Sequence, residues 1–236
     1  MSETLPAERE ASEATASTVA PATDTYDFSQ SLVMLSAPAE ATAESIRALR
    51  THIVAQHVDY GRRALTICAP APAIGCSFVA ANLAVALSQI GLKTLLIDAN
   101  LRDPAVDAYI RPGRDGPGLA QSLEKNDDIW LDCIRSDVIP DLSIMYAGGK
   151  VADAQALLAK YRFETLVDFC LRNFDVTLID TPPANTCADA RLVSKVVRYS
   201  LVVARKDRTF VEDMKTLVGQ LEADDVKVIG AVFNQA

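Results

Sequence analysis

Two aspartates close apolar runs in the chain, at Lys93-Thr-Leu-Leu-Ile-Asp98 and Asp175-Val-Thr-Leu-Ile-Asp180. A carboxylate at the end of a buried strand can face a ligand, or it can simply cap the turn that follows. A third segment, Ala69-Pro-Ala-Pro-Ala-Ile-Gly-Cys-Ser-Phe78, joins an apolar strand to an Ala-rich helix. That is where a phosphate-binding loop of the form G-x-x-x-x-G-K-S/T would lie. Gly75 and Ser77 match it, but Cys76 stands at the lysine position. Taken alone, the match reads more readily as an ordinary strand-to-helix turn. Glu44, Arg47 and Arg50 step by three along one helix side, as a solvated charged face. Cys76 is a core-lining thiol or, at a helix N-terminus, a reactive one. The five cysteines show no C-x-x-C pair and no histidine at ligand spacing, which argues against zinc or iron–sulfur chemistry.

The elements that would hold these residues are legible. Ile46, Leu49 and Ile53 form an apolar stripe on a helix over 39–58. A second helix spans 77–89, stopped by Gly91, and crossover helices fill 152–173. Strands at 64–69, 93–98, 142–146, 175–180, 200–204 and 226–233 are mostly apolar without alternation, so both of their faces should be covered. Such strands separated by helices predict an α/β domain: a doubly wound, mostly parallel sheet with helices on both faces. In that architecture the loop at 69–78, Asp98 and Asp180 meet at the carboxyl edge of the sheet. Residues 1–36 lack glycine and any apolar period, and read as a disordered tail with at most a helical turn near 26–33. The folded domain is expected over 37–236.

Composition narrows the function. With 236 residues, 50% of them hydrophobic, one α/β domain can bury a full core without a staple. A net charge of −8 argues against a nucleic-acid surface. No signal peptide begins the chain and no stretch reaches the roughly 20 apolar residues of a membrane span, so a cytoplasmic location is expected.

Several motifs together resemble one family. They are Glu44-Ser-Ile-Arg-Ala-Leu-Arg50, the loop around Gly75-Cys76-Ser77, Leu95-Leu-Ile-Asp-Ala-Asn-Leu-Arg-Asp-Pro104, Leu178-Ile-Asp-Thr-Pro-Pro183, Asp189-Ala190 and Ile229-Gly-Ala-Val-Phe-Asn234. The set is similar to the cytoplasmic domains of bacterial tyrosine kinases (BY-kinases) of capsule and exopolysaccharide systems, within the MinD/ParA-like deviant Walker ATPases. The resemblance implies a P-loop NTPase-like fold over residues 38–236, binding ATP and Mg²⁺. Gly75, Cys76, Ser77 and Phe78 would wrap the phosphates at a helix N-terminus. Ser77, Asp98 and Asp180 would serve Mg²⁺, and Asn234 would touch the base. Glu44, Arg47 and Arg50 would form the contact that builds a ring of subunits. The implied partner is a membrane polysaccharide copolymerase of the chain-length-determinant type, which would hold the protein at the inner membrane.

The departures point to impaired catalysis. Losing one preorganised cation costs on the order of 10²–10³ in rate, and Cys76 removes it. Ala73 occupies a position where the family commonly has glycine, so a positive-φ turn there is strained. Asn100 replaces the second carboxylate of the family's Asp-x-Asp, which leaves Asp98 and Asp180 as vestiges. The six tyrosines are dispersed, with no C-terminal cluster. The expectation is therefore an exopolysaccharide protein that regulates polymer length or export while binding nucleotide weakly. The alternatives are an active ATP-dependent tyrosine autokinase and a MinD/ParA-like positioning ATPase.

Overall fold

A computed structural model describes residues 24–124 and 130–235. In chain order the elements are β1 (Tyr26–Phe28), α1 (Val33–Ser36), α2 (Ala41–Gln56), β2 (Ala64–Cys68), α3 (Cys76–Ser88) and β3 (Thr94–Asp98). Next come β4 (Ile110–Pro112), α4 (Leu119–Glu124), α5 (Trp130–Cys133), β5 (Arg135–Ile139), β6 (Leu142–Met145), α6 (Ala154–Leu158) and α7 (Tyr161–Asn173). The chain ends with β7 (Val176–Asp180), α8 (Asp189–Val197), β8 (Tyr199–Arg205), α9 (Val211–Ala223) and β9 (Lys227–Asn234).

Seven strands form one sheet in the order β5-β6-β3-β7-β2-β8-β9. All pair in parallel except β5, which runs antiparallel to β6 at the edge. Helices cover both faces, which is why the strands read as unbroken apolar runs. Leu65, Ile67, Leu96 and Leu178 face one layer, packed with Met34 of α1, Ile46 and Ile53 of α2 and the Ala-rich side of α3. Leu95, Ile97 and Ile179 face the other, against α4 to α8. Cys68 and Val202 meet Leu217 and Leu221 of α9.

One boundary expectation is corrected. Residues 24–36, read as tail, are folded: β1 pairs antiparallel with β4, and Leu32 and Met34 are buried against α3. Asn82 of α3 fixes the segment, accepting from the Met34 amide at 3.2 Å and donating to the Ser31 carbonyl at 3.2 Å. A three-residue strand and a four-residue helix are too short to show a period, so only the Leu32–Leu35 apolar run betrayed them. Residues 1–23 of the expected tail lie outside the described residues.

Candidate nucleotide site

The adjacent order β3-β7-β2 brings three strand ends side by side, with Asp98 and Asp180 register partners and Ile67 level with Asp180. The loop leaving β2 ends on Gly75, which caps α3 at φ +99°. A Cβ there would lie 2.3 Å from Nδ2 of Asn234, so glycine is required both for conformation and for space. No side chain caps the helix start, so the first amides of α3 (residues 76–78) are available to an anion at the positive end of the helix dipole. Ala73 does adopt a left-handed conformation, φ +57°, as the family comparison of the loop anticipates. Arg205, at the end of β8, donates Nη1 to the Ala73 carbonyl at 2.9 Å and braces the loop from outside.

The loop forms one wall of a cavity of about 410 Å³, whose other walls include Asn100, Arg102, Tyr109, Thr181 and Cys187. Ser77 donates its hydroxyl to Oδ2 of Asp180 at 2.5 Å. The other oxygen of Asp180 is buried with no hydrogen-bond partner. Burial and the neighbouring Asp98 push the Asp180 carboxyl well above the ordinary carboxylate range. An orphaned, fully buried carboxylate oxygen next to a hydroxyl is a donor set that fits a hard divalent cation.

Asp98 is arranged differently. Its Oδ1 accepts from the Asn100 amide, and its Oδ2 from the amides of Ala105 and Val106, each at 3.0 Å. Burial raises its carboxyl to about 6 against these three bonds. Asp98 is thus the hub around which the loop 99–106 is wound, and it borders a neighbouring cavity of about 490 Å³ rather than the loop cavity. Asn100 accepts from the Asp103 amide at 3.1 Å and helps to close the same turn. Cys76 directs its thiol toward the Ile67 carbonyl, at 3.7 Å. Burial, with Asp180 and Cys68 nearby, pushes that thiol well up. It behaves as a lining thiol and not as an activated nucleophile.

Two expected residues also make side-chain contacts within the protein. Asn234 donates to the Ile74 carbonyl at 2.9 Å, so its side chain is a strut under the loop. Phe78 packs edge-on against Tyr109 with ring centroids 6.4 Å apart. Glu44, Arg47 and Arg50 are not brought to the site. Glu44 pairs with Arg47 at 3.0 Å, Arg47 also reaches the Pro38 carbonyl, and Arg50 donates to the Ala86 carbonyl at 3.3 Å. Ala86 is ten residues along α3 from Cys76, about 15 Å away at the helical rise. Sequence reasoning did not assign roles to Arg102, which chelates the buried Asp189 through Nε at 2.6 Å and Nη2 at 3.0 Å, or to Arg205. Arg102 and Asp189 both lie inside motifs quoted above, whereas Arg205 carries no sequence signal.

No protein-family model matches the chain. The tyrosine-protein kinase CapB of Staphylococcus aureus is 30% identical over 198 residues, covering 84% of this chain and 86% of CapB. Tyrosine-protein kinase ptk of Acinetobacter johnsonii is 32% identical over 191 residues, 81% of this chain but 26% of ptk. The chain thus spans most of CapB and about a quarter of the longer relative. The kinase domain of Escherichia coli tyrosine kinase ETK superposes with a TM-score of 0.78 at 26% identity, covering 86% of this chain and 79% of that domain. The septum site-determining protein MinD of Pyrococcus horikoshii, complexed with Mg-ADP, shares the fold at a TM-score of 0.61 and 17% identity, over 73% of this chain and 70% of MinD. With a relative of nearly equal length at 30% identity, and a kinase domain that overlays its sheet and helices, the chain belongs to the family of bacterial tyrosine kinases.

Proposed function

We propose that the protein works in exopolysaccharide or capsule biosynthesis as a catalytically impaired BY-kinase, and that it regulates polymer length or export by docking on a membrane copolymerase. The observation that carries this reading is the loop itself. It keeps the glycine, the helix N-terminus and the Ser77–Asp180 pair, yet a half-buried neutral thiol occupies the place of the phosphate-facing lysine. The amides of residues 76–78 would hold the phosphates of ATP or ADP, while Ser77 and Asp180 would hold Mg²⁺. The metal, when bound, neutralises phosphate charge. Without the lysine, the nucleotide is held weakly and the developing charge of phosphoryl transfer lacks its partner. Asp98, with both oxygens on backbone amides, contributes by shaping the loop that carries Asn100 and Arg102.

No described helix is long and apolar enough to cross a membrane. In this reading a membrane copolymerase recruits the protein to the inner membrane. The α2 face bearing Glu44, Arg47 and Arg50 is the proposed ring contact, about 15 Å from the nucleotide site along α3. The reading is tested by incubating the purified protein with ATP and Mg²⁺ and probing for phosphotyrosine. None is expected. Phosphotyrosine on the natural chain that disappears in Asp180→Ala would replace this reading with the active autokinase, whose Ser77–Asp180 pair is in place.

A further inference from the structure

The loop cavity has to hold anionic phosphates in a protein whose net charge is −8, and its own loop brings no cation. Among the described residues that line it, the one lysine or arginine is Arg102. Arg205 lies outside, with Nη1 engaged on the Ala73 carbonyl, and Lys150, Arg114 and Arg135 border the neighbouring cavity. Arg102 is held in place from two directions. Asp98 winds the loop 99–106 through three backbone amides, and Val151 donates its amide to the Leu101 carbonyl at 2.8 Å. Asp189 then fixes the guanidinium by a two-point chelate through Nε and Nη2, leaving Nη1 outside that pair. The side chain stays 41% exposed although its carboxylate partner is fully buried.

We propose that Arg102 supplies to the phosphates of a bound nucleotide the positive charge that Cys76 does not. This rests on the nucleotide-binding reading above and adds to it the residue that makes binding feasible. A guanidinium suits the task, because its planar fork can chelate one carboxylate and still present an N–H edge to a phosphate oxygen. Asp189 does not cancel it fully. Asp189 is the first residue of α8, so the dipole of that helix shares in stabilising its charge. The arrangement also accounts for weak rather than tight binding: a paired arginine offers less field than an unpaired lysine inside the loop.

The test is calorimetric titration with MgADP and, separately, adenosine, on the full chain. Arg102→Gln alone would strand the buried Asp189, so the principal variant is the neutral pair Arg102→Gln/Asp189→Asn, with native circular dichroism as its control. It is expected to bind MgADP at least about tenfold more weakly than the natural chain while its adenosine affinity is unchanged. In a chain carrying Ala73→Gly and Cys76→Lys, the same pair of changes should cost under about threefold, since the lysine then provides the charge. Asp189→Asn alone keeps the arginine and removes its counter-charge, and should tighten MgADP binding. Unchanged MgADP affinity in the neutral pair, an equal loss for adenosine, or weaker MgADP binding by Asp189→Asn would each overturn the assignment and leave the nucleotide reading standing. Absence of MgADP binding by the natural chain would overturn the nucleotide reading, and the assignment with it.

Discussion

Replacing Ala73 by glycine should stabilise the protein, although glycine is normally the looser residue. Ala73 sits at φ +57°, where the methyl group of an L-residue crowds the following carbonyl at roughly 1–2 kcal/mol. Glycine removes that strain but loses about 0.4–1 kcal/mol more conformational entropy on folding. The side chain is exposed, and the carbonyl that binds Arg205 belongs to the backbone, so no contact is lost. The balance is a gain of about 0.5–1 kcal/mol, or about 1–4 °C in Tm for a domain of this size. Thermal unfolding followed by circular dichroism reads the shift directly. Titration with MgADP then reads its consequence: Cys76→Lys alone should leave binding weak, because the strained turn misplaces donors, whereas Ala73→Gly with Cys76→Lys should bind tightly. A lower Tm for Ala73→Gly, or tight binding by the Cys76→Lys single variant, would refute the reasoning that strain at residue 73 shapes the loop.

In EDTA, stability should fall as pH rises from about 4 through 6. The Asp98 carboxyl is raised from 3.8 to about 6 by burial and that of Asp180 is raised too, so the folded state retains protons that the unfolded chain releases. For Asp98 the displacement corresponds to about 3 kcal/mol at 1.4 kcal/mol per pH unit, and denaturant midpoints measured across that range check it. Asp180→Asn should flatten the profile and raise the midpoint above pH 7, and a steeper profile would contradict the pairing of the two carboxyls. Replacing Arg47 and Arg50 by glutamate should abolish self-association in analytical ultracentrifugation and alter polymer yield or length in cells, while Asp180→Ala leaves both intact. The reverse pattern would refute the proposed ring contact.

The sheet was legible because its strands are covered on both faces: Leu95, Leu96 and Ile97 all find partners, in two different layers, and so no alternation interrupts the run. The edge strand β5 and the pair β1–β4 escaped, since short strands with exposed positions such as Asp137 or Asp27 carry no period. At the site, residue type and spacing located Gly75 and Ser77 on one cavity edge, with Asp180 buried behind Ser77. Spacing could not reveal that Asp98 gives both oxygens to backbone amides, or that Asn234 turns its amide onto the Ile74 carbonyl. The first depends on how the loop after Asp98 winds back within eight residues and the second on a contact across 160 residues, and residue spacing encodes neither. The Arg102–Asp189 chelate, between residues 87 positions apart, was hidden for the same reason.

The strut from Asn234 to Ile74 spans 160 residues of sequence. On a ribosome that separation is a delay. At 5–20 residues per second, the glycine-bearing loop waits roughly 8–30 s after its own synthesis before the strand that supports it exists. Until β9 docks beside β8, Gly75 lacks the Asn234 side chain over it and the Ile74 carbonyl lacks this donor. Competence to hold a phosphate is therefore the last property the nascent domain acquires. A protein stalled or clipped before residue 234 would keep most of its core yet present an unfinished loop, so ligand binding would report the docking of β9 and not merely collapse of the core.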